Sequence, residues 1–272
     1  MGDVSPDESV AGGTGPVRAP ERRGPAQLLP GEPLHPFRRT LRYWATRIVT
    51  GLVVRAYVRP RLIGRDRLPA GPAVYCFNHM NWIDPFVLMA VLPFRPRLYF
   101  FGPKEDDMTV GGRNRLMAWT RTTVSYRPAK SDLIDATRRV GTVFAAGGVL
   151  AIAGEGRIHA SERVVTTLNV GPAYFALRSG VPLVPIAING TSWLKLGRRV
   201  SIRIGEHLTS EGRPTSEAVE ALTERCTSAI LDLVRDQPEM RRPGRVGRWV
   251  TELFNDWPEG ERPPIEPSSP AG

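Results

Sequence analysis

The chain has 272 residues, 41% of them hydrophobic, enough to bury a full core in one sizeable domain with tails. Its formal net charge is +10, carried almost wholly by arginine, with lysine only at positions 104, 130 and 195; that balance favours anionic partners such as anionic lipid, phosphate- or CoA-bearing substrates, or nucleic acid. Two cysteines in separate segments, Cys76 and Cys226, exclude a disulfide scaffold and a cysteine-based metal site, and the histidines at 35, 79, 159 and 207 are too scattered for a metal-ligand pattern, so no metal is expected.

Residues 1–36 are rich in proline, glycine and charge and read as a disordered tail, as do residues 257–272. The N-terminal sequence does not have the pattern of a secretory signal, and Pro6 stands where a myristoylation signal needs Ser or Thr. No apolar run approaches the roughly 18–20 residues that span a bilayer. The expectation is a cytoplasmic chain, peripheral on the inner face of the plasma membrane. Residues 37–58 predict a helix: Leu41, Trp44, Ala45, Ile48, Leu52 and Ala56 recur at helical spacing, with Arg38, Arg39, Arg42, Arg47 and Arg55 interleaved. Such a basic amphipathic helix either lies in the headgroup region of an anionic membrane surface or packs on the domain with its arginines in solvent. No recognised binding motif accompanies the charge, so no nucleic acid is expected as a partner. Residues 59–256 form the main domain, closed by C-terminal helices.

After a strand over 62–64 and a turn, Ala73-Val74-Tyr75-Cys76-Phe77 reads as a buried strand. It runs into Asn78-His79-Met80-Asn81-Trp82-Ile83-Asp84-Pro85, and residues 86–92 read as a helix. Asp84 followed by Pro85 predicts a helix start, with an N-cap acceptor and then a proline at the first helical position. A tight loop can turn the Asp84 carboxylate back onto His79 Nδ1–H, which fixes the tautomer and leaves Nε2 free to take a proton. The same spacing also fits a simple cap beside a satisfied loop histidine. Strand alternation puts Cys76 and His79 on opposite faces, which makes Cys76 structural.

Residues 97–102 read as a second buried strand, followed by Pro103-Lys104-Glu105, and residues 114–119 as a short helix. Residues 122–127 form a short strand closing on Arg127. Ser131 caps a helix with Asp132 and Asp135 in its first turn; Leu133, Ala136, Val140 and Phe144 line one face and Gly147-Gly148 ends it. A strand over 149–153 leads to Gly154-Glu155-Gly156-Arg157-Ile158-His159. A glycine there lets backbone approach a ligand and an arginine fork grips phosphate bidentately; a strand-end turn with a surface arginine is the other reading.

A helix over 169–177 precedes a buried strand over 180–188 with prolines at 182 and 185, which points to an edge or a bulge shaping a pocket wall. Asn189-Gly190-Thr191 reads as a turn and 200–205 as a last strand. Helix 216–235 carries Val219, Leu222, Cys226, Ala229, Ile230 and Leu233 at helical spacing. Residues 245–256 form a helical tail with Trp249, Leu253 and Phe254 on one side, packing on the domain or touching membrane. Alternating strands and helices define an α/β domain with a largely parallel central sheet flanked by helices, its site groups at strand ends.

Asn78-His79-x4-Asp84 after a strand resembles the first motif of the glycerolipid acyltransferases, the family of 1-acylglycerol-3-phosphate acyltransferase, and three later stretches follow in the family's order. Residues 122–127 resemble the second motif, without its opening glycine. Glu155-Gly156-Arg157 resembles the third, with Ala153 and Gly154 where Phe-Pro is common, and the two-proline strand resembles the fourth. The resemblance, covering about residues 60 to 210, implies transfer of a fatty acyl group from acyl-CoA or acyl-carrier protein to the free hydroxyl of a lysophospholipid, foremost 1-acylglycerol 3-phosphate giving phosphatidic acid. The thioester is then a co-substrate and no cofactor is implied. It further implies His79 as general base, oriented by Asp84, with Arg157, Arg127 and Lys104 holding the acceptor phosphate and Glu155 and Gly156 within the substrate site. Two rival readings are acyl transfer to another acceptor (a glycolipid, an amino-lipid or another alcohol) and a non-catalytic basic lipid-binding protein. A serine hydrolase is disfavoured, since no Gly-x-Ser-x-Gly elbow occurs.

Overall fold

The computed structural model describes residues 36–103, 122–126, 133–159 and 161–255. Lys104, Arg127, Ser131, the helix over 114–119 and both tails lie outside the described residues.

Strand β2 (Ala73–Phe77) is apolar at every position because helices cover both of its faces. Tyr75 and Phe77 enter one helical layer, and Val74 and Cys76 the other. Around β2 lie β1 (Arg59–Ile63), β3 (Leu98–Pro103), β4 (Thr123–Tyr126), β5 (Val149–Ala153), β6 (Leu183–Asn189) and β7 (Arg199–Ile204). Their order is β1-β7-β6-β2-β5-β3-β4. Only the β6–β7 pairing is antiparallel among these, so the largely parallel sheet expected from the alternation of elements is present. Helices α1 (Pro36–Tyr57), α2 (Asp84–Val91) and α6 (Arg245–Phe254) lie on the Phe77 side of the sheet. Helices α3 (Leu133–Ala145), α4 (Gly171–Ser179) and α5 (Ser216–Val234) cover the Cys76 side.

The packing sets the inward faces of two helices. In α1 the buried face carries Tyr43, Thr46, Arg47 and Val54, while Leu41, Trp44, Ile48 and Leu52 point outward, Leu52 being 67% exposed. The polar side chains turn inward because they have partners there. Arg47 donates to the carbonyls of Leu92 and Pro93, satisfying orphan groups at the end of α2, and its guanidinium lies 4.8 Å from the Phe94 ring centroid. Burial lowers the Arg47 pKa. Tyr43 donates to Phe94 O at 3.3 Å and accepts from Leu98 N at 3.2 Å. In α3, Leu133 is exposed and Ala136, Val140, Val143 and Phe144 form the buried face.

Pro185 sits in a central strand, not at an edge, and Pro182 just precedes that strand. Pro182 O accepts from Val74 N, ahead of the strand. At Pro185 the ladder to β7 is irregular: Ile186 pairs with Ile204, yet the next bridge joins Leu183 to Leu208. Two residues of one strand, Val184 and Pro185, thus oppose three of the other, Gly205 to His207, a bulge placed at the proline that lacks an N–H.

Cys76 and Cys226 meet in the core as free thiols, and their mutual hydrogen bond, with burial, pushes the Cys76 pKa up. Cys76 also explains Gly154. A Cβ at that position would lie 2.7 Å from Cys76 Sγ and 2.8 Å from Leu168 Cδ2. Gly154→Ala should therefore cost about 1–3 kcal/mol by overpacking. Urea denaturation checks this, and the double variant Gly154→Ala/Cys76→Ala should recover part of the loss.

Candidate active site

Loops leaving the C-terminal ends of β2, β5 and β6 converge on His79. The helix after β2 begins at Asp84 itself, with Ile83 as its N-cap residue, so the expectation that Asp84 caps α2 is corrected. The Asp84 carboxylate turns back into the loop instead. Its Oδ2 accepts from Met80 N at 2.8 Å and Asn81 N at 2.9 Å, and lies 3.0 Å from His79 Nδ1. Asp84 is fully buried, while the His79 side chain keeps 16% of its surface exposed. The arrangement puts the proton of a neutral imidazole on Nδ1 and turns Nε2 into an acceptor.

The flanking asparagines extend the sheet into the loop. Asn78 Nδ2 donates to Ile188 O at 3.0 Å and its Oδ1 accepts from Ile188 N at 2.7 Å, so one side chain replaces a ladder partner of β6. Asn81 Nδ2 donates to Thr191 O and its Oδ1 accepts from Ile83 N, both at 3.0 Å. At the other end, Trp82 N donates to Asn255 Oδ1 at 3.0 Å, which fastens the loop to the last residue described, just past α6.

Glu155 and His159 grip the backbone of His79 from the β5 side. Glu155 Oε2 accepts from His79 N at 2.9 Å, and His159 N donates to His79 O at 3.2 Å. Glu155 also accepts from Thr166 N at 2.6 Å and pairs with His159 Nε2. Burial works to raise the Glu155 carboxyl, but the hydrogen bond and charge interaction with His159, joined by the N–H groups of His79 and Thr166, leave it lowered. Glu155 thus ties the backbone of His79 to His159 and Thr166. Gly156 has φ 65°, and a Cβ there would run into the Asn169 amide, so the turn itself requires glycine. Arg157, next on this turn, is exposed and has no hydrogen bond or ion pair among the described residues.

Sequence reading missed a second buried carboxyl. Glu162 is completely buried and accepts from Gly190 N at 2.8 Å, Ser192 N at 3.2 Å and the Ser192 hydroxyl. It shapes the loop whose Thr191 carbonyl receives Asn81. Burial pushes its pKa up to about 7 against those three donors, and the charge of Asp84 adds to the rise. His159 had a local signal, since it follows Glu155 by four residues; Glu162, Thr166 and Asn255 had none, because their partners are remote in sequence. Of the expected site residues, His79, Asp84, Glu155, Gly156 and Arg157 come together at one end of the sheet, and Lys104 and Arg127 lie outside the described residues. A cavity of about 560 Å³ lined by Arg65, Tyr75, Arg95 and Arg97 opens at the opposite end of the parallel strands and is not part of this site. Among the described residues no group of His, Cys, Asp and Glu could hold a metal ion.

The family model described as Acyltransferase matches residues 59–189, the stretch that holds β1 to β6 and the His79, Asp84, Glu155 and Arg157 positions. The match supports membership of the glycerolipid acyltransferase family, and with it an O-acyltransferase, for this stretch of the chain. The fold is similar to that of the solved 1-acyl-sn-glycerophosphate (LPA) acyltransferase, PlsC, from Thermotoga maritima, with a TM-score of 0.56 at 16% identity, covering 77% of this chain and 86% of that one.

The Glu162 pKa sets a pH dependence with a definite sign. A carboxyl raised from 4.5 to about 7 keeps its proton in the folded chain after the unfolded chain has lost it. This contribution to stability is complete below pH 4.5 and is lost as pH rises through about 7. The unfolding free energy should fall by up to ~3 kcal/mol across that window. Glu162→Gln should flatten the slope in urea melts taken from pH 4.5 to 7.5.

Proposed function

We propose that the chain transfers a fatty acyl group from acyl-CoA or acyl-carrier protein to the free hydroxyl of a lysophospholipid, foremost 1-acylglycerol 3-phosphate, giving phosphatidic acid. One observation carries this reading: Asp84 Oδ2 lies 3.0 Å from His79 Nδ1 and is itself held by two backbone N–H donors. The imidazole is held as a base with Nε2 free, and an alcohol is a poor nucleophile at neutral pH without one. The acceptor O–H gives its proton to Nε2 as its oxygen bonds to the thioester carbonyl carbon. The tetrahedral intermediate then expels the thiolate, breaking the C–S bond, and the imidazolium returns the proton to give free thiol. Asp84 stabilises the imidazolium between the two steps, and no acyl-enzyme is formed.

Arg157 is the acceptor-phosphate ligand in this reading, supported by its exposure on the turn beside His79 and its lack of another partner among the described residues. Lys104 and Arg127 are assigned as helpers on the family resemblance alone. The alternatives of another alcohol acceptor and of a non-catalytic lipid binder remain as outcomes of the assay. No helix among the described residues is long and apolar enough to cross a membrane. The outward stripe of α1, Leu41, Trp44, Ile48 and Leu52 with Arg38 and Arg55 on the exposed surface, supports peripheral binding to the anionic inner face of the plasma membrane.

The test is release of free CoA thiol from palmitoyl-CoA with and without lysophosphatidic acid. Release should require the acceptor, and His79→Ala should lower it by about 10²–10⁴-fold, the range for loss of a general base. His79-independent release removes the mechanism. His79-dependent release with a different acceptor keeps the mechanism and replaces the substrate.

Arg157→Ala should raise the KM for lysophosphatidic acid about ten-fold or more, as expected for loss of a charge-assisted hydrogen bond. An unphosphorylated monoacylglycerol acceptor should show no such change. Equal effects on both acceptors remove the phosphate assignment.

A further inference from the structure

We propose that the outward face of α6 is a second bilayer contact, made to anionic lipid and placed beside the active-site loop. Three large apolar side chains lie on that face: Val246, Trp249 and Leu253 are 73%, 62% and 57% exposed. They recur at three- and four-residue spacing, so they form one stripe along the helix. The opposite face is committed to the domain. Thr251 Oγ1 accepts from Leu194 N at 2.8 Å, Val250 packs on the core, and Gly247 sits so close that a Cβ would lie 2.7 Å from Leu194 O.

Charge names the occupant. Arg241, Arg242 and Arg245 are exposed at the start of α6, Arg248 is half-buried, and Lys195 is exposed on the loop that α6 packs against. Leu196, 68% exposed, extends the apolar surface on the same loop. Glu252 is the acidic residue on the outward side. A tryptophan between aliphatic residues, bordered by arginines, matches the boundary between acyl chains and anionic headgroups. Three side chains bury far less than the roughly 800 Å² per partner of a stable protein interface, which disfavours a second copy.

The position of α6 gives the contact a consequence. The residue that ends it, Asn255, holds Trp82 N in the His79–Asp84 loop. Loop 194–197 joins α6 to the C-terminal end of α1, since Gly197 N donates to Tyr57 O at 2.7 Å. Both outward stripes therefore belong to the helical layer on one side of the sheet, and seating α6 at a bilayer brings the mouth of the site to the lipid acceptor. The effect on turnover rests on the acyltransferase reading above; the lipid contact itself does not.

The experiment uses the full chain with vesicles of phosphatidylcholine alone or mixed with phosphatidylglycerol. Sedimentation should show binding to the mixed vesicles, about ten-fold weaker for Trp249→Ser/Leu253→Ser. Arg245→Gln, at an exposed position, should weaken it about five-fold at low salt and much less on neutral vesicles. Turnover of a vesicle-borne acceptor should fall in parallel, while turnover of a short-chain, monomeric acceptor stays at the wild-type rate. Unchanged partition in both variants overturns the proposal, whatever the chain acylates. So does a concentration-dependent dimer that the double variant abolishes, because the stripe then belongs to a second copy. Lost partition with no acyl transfer to any acceptor upholds the lipid contact and sinks the catalytic reading.

Discussion

Asp84 Oδ2 takes two backbone N–H groups and the His79 imidazole at one oxygen, and the site depends on that convergence. A carboxylate without water is costly to bury, and charge-assisted hydrogen bonds are what make it tolerable. Here the donors to Oδ2 come from His79, Met80 and Asn81, so the same bonds that serve this oxygen also fold the loop. The imidazole then sits at a fixed distance from a fixed anion, with one nitrogen committed and the other free. In the proposed reaction, orientation of the ring and stabilisation of the imidazolium come from the same atom.

That loop is held by the rest of the fold at several of its polar groups. Asn78 borrows the hydrogen bonds of β6, Glu155 and His159 hold the backbone of His79 from β5, and Asn255 holds Trp82 from the end of α6. Glu162 does the same one step out, by organising the loop that receives Asn81. Buried carboxyls that accept from several loops act as hubs, because removing one leaves multiple donors without partners. The two hubs differ in charge: the donors around Glu155 lower its pKa, whereas burial and the neighbouring Asp84 raise that of Glu162.

The same logic turned α1 over. A helix packs with the face that satisfies the most, and the carbonyls at the end of α2 were better served by Arg47 than by leucine. The apolar residues left outside are then free to meet lipid. In α6 the apolar stripe is likewise outside, because the inward face is taken by Gly247, Val250 and Thr251 against Leu194. Outward apolar surface on two helices of one layer is the feature on which the proposed lipid contacts rest.

The sequence by itself determined the elements and the first pair. Continuous apolar runs such as residues 73–77 and 149–153 mark strands covered on both faces, and the alternation of strands and helices fixes a largely parallel sheet. His79 and Asp84 are five residues apart, so a local loop suffices to join them, and the spacing is legible. Only the tertiary structure decided what lies between remote segments: that Glu155 and His159 hold His79, that Glu162 supports the neighbouring loop, that Asn255 reaches Trp82, and that Pro185 fits a central strand opposite a bulge. It also decided which face of α1 turns inward, since periodicity gives the stripe of a helix but not its partners. Local hydrogen bonds follow from spacing along the chain, whereas the satisfaction of a buried polar group depends on which other loop arrives beside it.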